Sequence, residues 1–160
     1  LAHDLFCFSY LCGGISLVDM ANLTPENIIE GRLIYQRQKT HGSINLQLSD
    51  RALKIISKYS DYQKKAYYFF PILHYKRHIT PMQKHNRVRK YCLHINHELK
   101  ILAKELNITA NVTTYVARHS FATILKKSGV NIGIISQALG HQDIKTTQIV
   151  KWLNMFLVND

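Results

Sequence analysis

The stretch that decides the fold is Thr113-Thr114-Tyr115-Val116-Ala117-Arg118-His119-Ser120-Phe121-Ala122-Thr123, continued through Lys126-Lys127-Ser128-Gly129 to Leu139-Gly140-His141. A helix begins at Thr113 or Thr114 and runs to Lys127. Ser128-Gly129 ends it, because glycine enters the left-handed conformation that closes helices without a steric cost. Asn131 caps a short helix to Leu139, Gly140 breaks it, and Asp143 caps a last helix through Trp152.

Upstream, Pro81 starts a long helix to about Leu106, with Val88, Cys92, Ile95, Leu99 and Leu102 recurring at three and four. Residues 73–81 read as loop, and the aromatic run Tyr67–Phe70 before Pro71 reads as buried. Ser49 caps a helix from Asp50 to about Tyr59. Three strands precede it, at Asn27–Ile29, Arg32–Gln36 and Ser43–Leu48, with turns at Glu30-Gly31 and His41-Gly42. In the third, Ile44, Leu46 and Leu48 alternate with Asn45 and Gln47, the pattern of a half-buried strand. At the start, residues 2–12 form a helix that Gly13 and Gly14 stop, and Ser16 caps a short helix through Met20 with Asp19 in its first turn. Thr24-Pro25 breaks that one. The expectation is one domain over 1–160, mainly α with a small three-stranded antiparallel sheet, an α+β arrangement.

Charge narrows the function. Twenty-one Lys and Arg stand against ten Asp and Glu, giving +11 and a pI near 9.7, which favours a polyanionic partner. No apolar run approaches the roughly 20 residues of a membrane span, and no basic helix has a clean apolar face to lie on lipid. The chain opens at Leu1 without a basic-then-apolar leader, so no signal peptide is expected and the chain reads as a fragment. Three unpatterned cysteines, Cys7, Cys12 and Cys92, suit a reducing compartment. Cys92, His94 and His97 do not share one helix face, and no second ligand cluster follows, so neither metal nor cofactor is expected.

The segment Tyr115–Thr123 resembles the second signature box of the tyrosine recombinases, the phage-integrase family, and Leu139-Gly140-His141 resembles the third. Between them stands the Gly129-Val130-Asn131-Ile132 helix start, and after them Thr146-Thr147-Gln148-Ile149, which in the family leads into the nucleophilic tyrosine. Gln38-Lys39-Thr40 is similar to the family's lysine hairpin, and Leu5–Tyr10 through Val18-Asp19-Met20 to its first box. The likeness spans the whole chain and implies a tyrosine recombinase catalytic domain, without the N-terminal DNA-binding domain that family members carry.

What the resemblance implies is transesterification on DNA. A tyrosine oxygen attacks a phosphodiester, leaving a 3′-phosphotyrosyl link and a free 5′-hydroxyl. Charge builds on the non-bridging oxygens, where fixed cationic donors count most. Arg118 is then the second active-site arginine, His141 a donor to the phosphate, and Lys39 the general acid toward the leaving oxygen. Tyr115 stands where the family has a histidine and still donates one hydrogen bond. Read without the family, Arg118 is a surface helix arginine, His141 a loop histidine, and Lys39 an ordinary solvated lysine. His119 reads as a core histidine supporting Arg118.

Two positions depart from the pattern. The first arginine falls at Gly13, and the nucleophile falls at Val150, which has no nucleophilic atom. Arg32, Arg37 or Lys39 are the cations that can compensate from the sheet. Three readings follow: a degenerate integrase that still binds DNA, an engineered or truncated form of an active one, or a nucleophile supplied by another chain.

Outside the motifs, Lys76, Arg77, Lys84, Arg87, Arg89 and Lys90, with His78 and His85, form the densest basic block. Lys84, Arg87 and Lys90 share a helix face suited to backbone phosphates, which position DNA without reading its sequence. The apolar tail Trp152, Leu153, Met155, Phe156, Leu157 and Val158 packs on a neighbouring protomer or on its own core. The expected function is DNA recombination or integration by a homo-oligomer on double-stranded DNA, with no membrane and no small-molecule substrate. The expected setting is cytoplasmic, nucleoid-associated, and prokaryotic or phage-type. The alternatives are a non-catalytic DNA-binding protein on the same fold, and an unrelated helical protein–protein module.

Overall fold

The computed structural model describes residues 1–139. In chain order it holds α1 (Ala2–Leu11), α2 (Leu17–Asn22), a 3-10 turn (Pro25–Asn27), β1 (Ile28–Ile29), β2 (Arg32–Gln36), β3 (Ser43–Gln47), α3 (Asp50–Ser57), α4 (Ser60–Ala66), α5 (Pro81–Glu105), α6 (Thr114–Lys127) and α7 (Ile132–Ala138). The sheet is antiparallel in the order β1-β2-β3, with Leu33 opposite Leu46 and Tyr35 opposite Ile44. The mainly helical class with a small three-stranded sheet is therefore the observed one.

Local chemistry explains most boundaries. Ser16 and Ser49 accept from the backbone N–H groups of Asp19 and Ala52, and Asn131 accepts from Gly133. Thr80 and Gln83 form a reciprocal capping box that spans Pro81 at the first helical position. Three expectations need correcting. The first strand begins at Ile28, because Asn27 turns inward as the partner of Thr24 and donates to the Ile34 carbonyl. The helix expected to reach Tyr59 stops at Ser57, and a separate α4 follows that periodicity does not reveal. Within the aromatic run, Tyr68, Phe69 and Phe70 are buried, but Tyr67 closes α4 with a left-handed backbone and stays exposed. The helix expected from Asp143 lies outside the described residues.

The main core gathers α1, α2, the sheet, the aromatic run and α5. Phe8 and Phe70 meet edge-on at 5.2 Å, a geometry that suits aromatic quadrupoles. A smaller cluster joins Ala122, Ile135 and Leu139. It fastens α7 to α6 and so fixes where Leu139 ends, beside the turn that links α1 to α2.

Candidate active site

Four segments meet at one point. Gly13 and Gly14 turn the chain between α1 and α2 with φ of +69° and +72°. The bare α-carbon of Gly14 lets that turn lie directly against Arg118 on α6. Arg118 Nη1 donates to the Gly14 carbonyl at 2.8 Å, and Nη2 donates to the Leu139 carbonyl at the end of α7. Arg37, just after β2, sends Nη1 to the same Leu139 carbonyl. Its Nε lies 3.9 Å from Oδ2 of Asp19 on α2. Asp19 is itself held, accepting from Ser16 Oγ at 2.7 Å and from the Gln38 N–H at 2.8 Å. Arg37 and Arg118 are each 7% exposed and Asp19 4%.

Burial and neighbouring charge shift the groups here. Desolvation, then the charge of Arg37, pushes the Arg118 guanidinium down to about 10, still charged near neutral pH. Burial, then Arg118, holds His119 below its ordinary value. The His119 ring stands edge-on to Tyr115 at 4.4 Å, and its buried Nδ1 has no hydrogen-bond partner among the described residues. Tyr115, on the first turn of α6, is 54% exposed.

Of the residues singled out from sequence, Arg118 sits in this cluster and Gly13 beside it, near the Ala138 carbonyl and Phe121. Lys39 is exposed on the turn between β2 and β3, next to Gln38 and two residues from Arg37. His141 and Val150 lie outside the described residues, as does the apolar tail. The sequence signals neither Arg37 nor Asp19 as buried: one reads as a sheet cation among several, the other as a first-turn helix residue.

The basic block divides. Arg87 faces inward, donating to the Ile72 carbonyl and to Tyr91 Oη and stacking on that ring at 4.3 Å. Lys76, Arg77 and Lys90 are exposed. Lys84, His85 and Arg89 line a cleft of about 730 Å³ between α2 and the start of α5, with Gln38 of the hairpin turn also on its wall. His94 pairs with Glu98 at 3.1 Å, and Cys92 accepts from Asn96. Among the described residues, no group of three His, Cys, Asp or Glu could hold a metal, and no helix is long and apolar enough to cross a membrane.

The sequence model of the phage integrase family matches residues 6–151. The chain belongs to that family. Among curated relatives, a tyrosine recombinase of Thermosipho africanus is 29% identical over 85% of this chain and 44% of its own length. A tyrosine recombinase XerD of Halalkalibacterium halodurans is 49% identical over 32% of this chain and 17% of its own. The chain thus spans less than half the length of these relatives. Among solved structures, XerA recombinase superposes with a TM-score of 0.62 at 20% identity, over 93% of this chain and 57% of that one. A Tn1549 transposon integrase in complex with transposon right end DNA does so with 0.63 at 14% identity, over 92% and 53%. The fold is therefore that of these integrase-family proteins.

Proposed function

We propose that this chain is the catalytic-type domain of a tyrosine recombinase acting on double-stranded DNA, and that it is catalytically impaired as written. The observation that carries the reading is Arg118, a buried guanidinium fixed by two backbone carbonyls. A cation held in place before substrate arrives is what charge development on a phosphodiester requires, since nothing need reorganise during the reaction. The family's transposon integrase, solved on DNA, and the chain's +11 charge support the same partner.

In this reading Arg118 and His141 donate to the non-bridging oxygens. Lys39, on a solvent-facing turn, protonates the leaving oxygen, and Tyr115 supplies one further hydrogen bond. Gly13 brings no cation and Val150 no nucleophile, which also favours a second reading, a non-catalytic DNA-binding protein on this fold. The basic residues Lys76, Arg77, Lys84 and Lys90 contact backbone phosphates, while Arg87 is engaged by Ile72 and Tyr91. The C-terminal apolar segment joins protomers on DNA, in the cytoplasm and on the nucleoid.

Covalent trapping tests this. The protein is incubated with supercoiled plasmid and nicked duplexes, denatured in detergent, and examined for a protein–DNA adduct. Val150→Tyr runs alongside, alone and with Gly13→Arg. The positive φ at Gly13 strains any side chain there by roughly 1–2 kcal/mol, so the double variant is first checked for folding. We expect an adduct only after Val150→Tyr. An adduct with the chain as written would overturn impairment. No adduct from any variant, with salt-sensitive DNA binding intact, would favour the second reading. Absence of salt-sensitive binding would sink both.

A further inference from the structure

We infer that Arg37 is the second guanidinium of the oxyanion site, receiving a phosphodiester oxygen together with Arg118. The inference rests on the phosphodiester reading above. From sequence, Arg37 is only one of three sheet cations that can compensate for Gly13, and no family motif assigns it to the site.

Position is the first support. Arg37 and Arg118 come from different elements, yet both donate to the one Leu139 carbonyl, so their tips are adjacent. Two arginine forks converging on a point present the array of N–H donors that a tetrahedral oxyanion takes. Charge is the second. Like charges in a buried place repel, and burial first, then the Arg37 charge, holds the Arg118 guanidinium below its ordinary value. A fold that keeps two guanidinium groups side by side gains when an anion binds between them. Rigidity is the third. The Arg37 backbone is pinned in the hairpin, its N–H donating to Gly42 and its carbonyl accepting from His41. Asp19 lies 3.9 Å from Arg37 Nε while held by Ser16 and Gln38. Arg37 thus has the preorganised cation's geometry.

The test uses the full chain, labelled at arginine Nε, with inorganic phosphate as the probe. We expect the Nε–Hε resonances of Arg37 and Arg118 to move along one binding curve. Arg37→Gln should weaken phosphate by roughly tenfold or more, and Arg37→Lys should keep part of the affinity. On duplex DNA, Arg37→Gln should lower the slope of log K against log salt by about 1, while Arg37→Lys retains it. A merely structural role would lower the unfolding midpoint of both variants and leave that slope alone. The inference fails if Arg118 responds to phosphate and Arg37 does not, if neither responds, or if folded Arg37→Gln binds phosphate like the parent. Should Arg37→Gln not fold, the parent titration and Arg37→Lys decide. Phosphate binding without DNA binding would overturn the proposed function alone. DNA binding with an unchanged slope in Arg37→Gln would overturn this inference alone.

Discussion

A β-carbon on Gly14 would lie 2.7 Å from Arg118 Cγ and 2.9 Å from its Cα, so the turn between α1 and α2 is shaped by the arginine it covers. Gly14→Ala combines a left-handed backbone penalty of about 1–2 kcal/mol with an overpacking penalty of about 1–3 kcal/mol. Gly129 also has a positive φ, +79°, but nothing lies within 4 Å of its would-be β-carbon. Gly129→Ala should therefore lose only about 1 kcal/mol. Urea unfolding of both decides; equal losses would mean that the close approach does not govern Gly14.

Arg118→Ala leaves the Gly14 carbonyl without this donor, while the Leu139 carbonyl keeps Arg37. One unsatisfied buried carbonyl costs about 1–3 kcal/mol. The variant should also abolish cleavage by any active Val150→Tyr protein while keeping plasmid binding within a few fold, because many phosphates share the binding. Normal cleavage would remove Arg118 from the chemistry.

Asp4 ties α1 to the end of α3, accepting from Lys58 Nζ and Tyr59 Oη, each at 2.9 Å. Burial pushes its carboxyl up, but the bonds from Lys58 and Tyr59 outweigh this and hold it below the usual value. A lowered folded value means stability fully present above about pH 4 and lost as pH falls through the folded value. Asp4→Asn should be less stable than the parent near neutrality, and the gap should close in acid. Parallel curves across that range would refute the pairing.

His119 acts in the same direction, in a higher pH window. Its folded value is lowered by burial and Arg118, so the unfolded chain takes up a proton that the folded chain resists. Stability should fall as pH drops below about 6.5 and level off below the folded value. Thermal melts of His119→Gln should show a shallower fall; an unchanged profile would assign the effect to other histidines.

On α5, Arg89→Glu and Lys90→Glu should weaken DNA binding alike across sequences and cut the salt slope by about 1–2. Arg87→Glu should do so only with a loss of stability of about 1–3 kcal/mol, because its guanidinium holds the Ile72 carbonyl. Affinity unchanged in the first two would place the DNA on another face.

The long helices and the sheet were legible because periodicity, caps and glycines mark them; the burial of Arg118 was not, because residue spacing alone reads it as a surface helix arginine. α4 was not: in Ser60-Asp61-Tyr62-Gln63-Lys64-Lys65-Ala66 only Ala66 is buried, and no side chain caps its start. Arg37 and Asp19 were hidden for another reason. A charged residue beside a turn reads as solvated, and only the tertiary approach of α7 brings a carbonyl down onto Arg37. Arg87 was placed on the right helix and faces Tyr91, because a helix face read from spacing does not say which neighbour it meets.

Arg118 reaches Gly14 across 104 residues, and Arg37 reaches Leu139 across 102. Contacts so distant carry a loop-closure entropy that only the nearly finished chain can offset. During synthesis, a nascent chain holding α1 through α5 carries the sheet and most of the main core, but neither Arg118 nor Leu139. Such a chain lacks the Arg118–Gly14 and Arg37–Leu139 bonds. The order of translation therefore delays this junction until α6 and α7 have emerged, so that the scaffold stands before its two buried guanidinium groups are fixed.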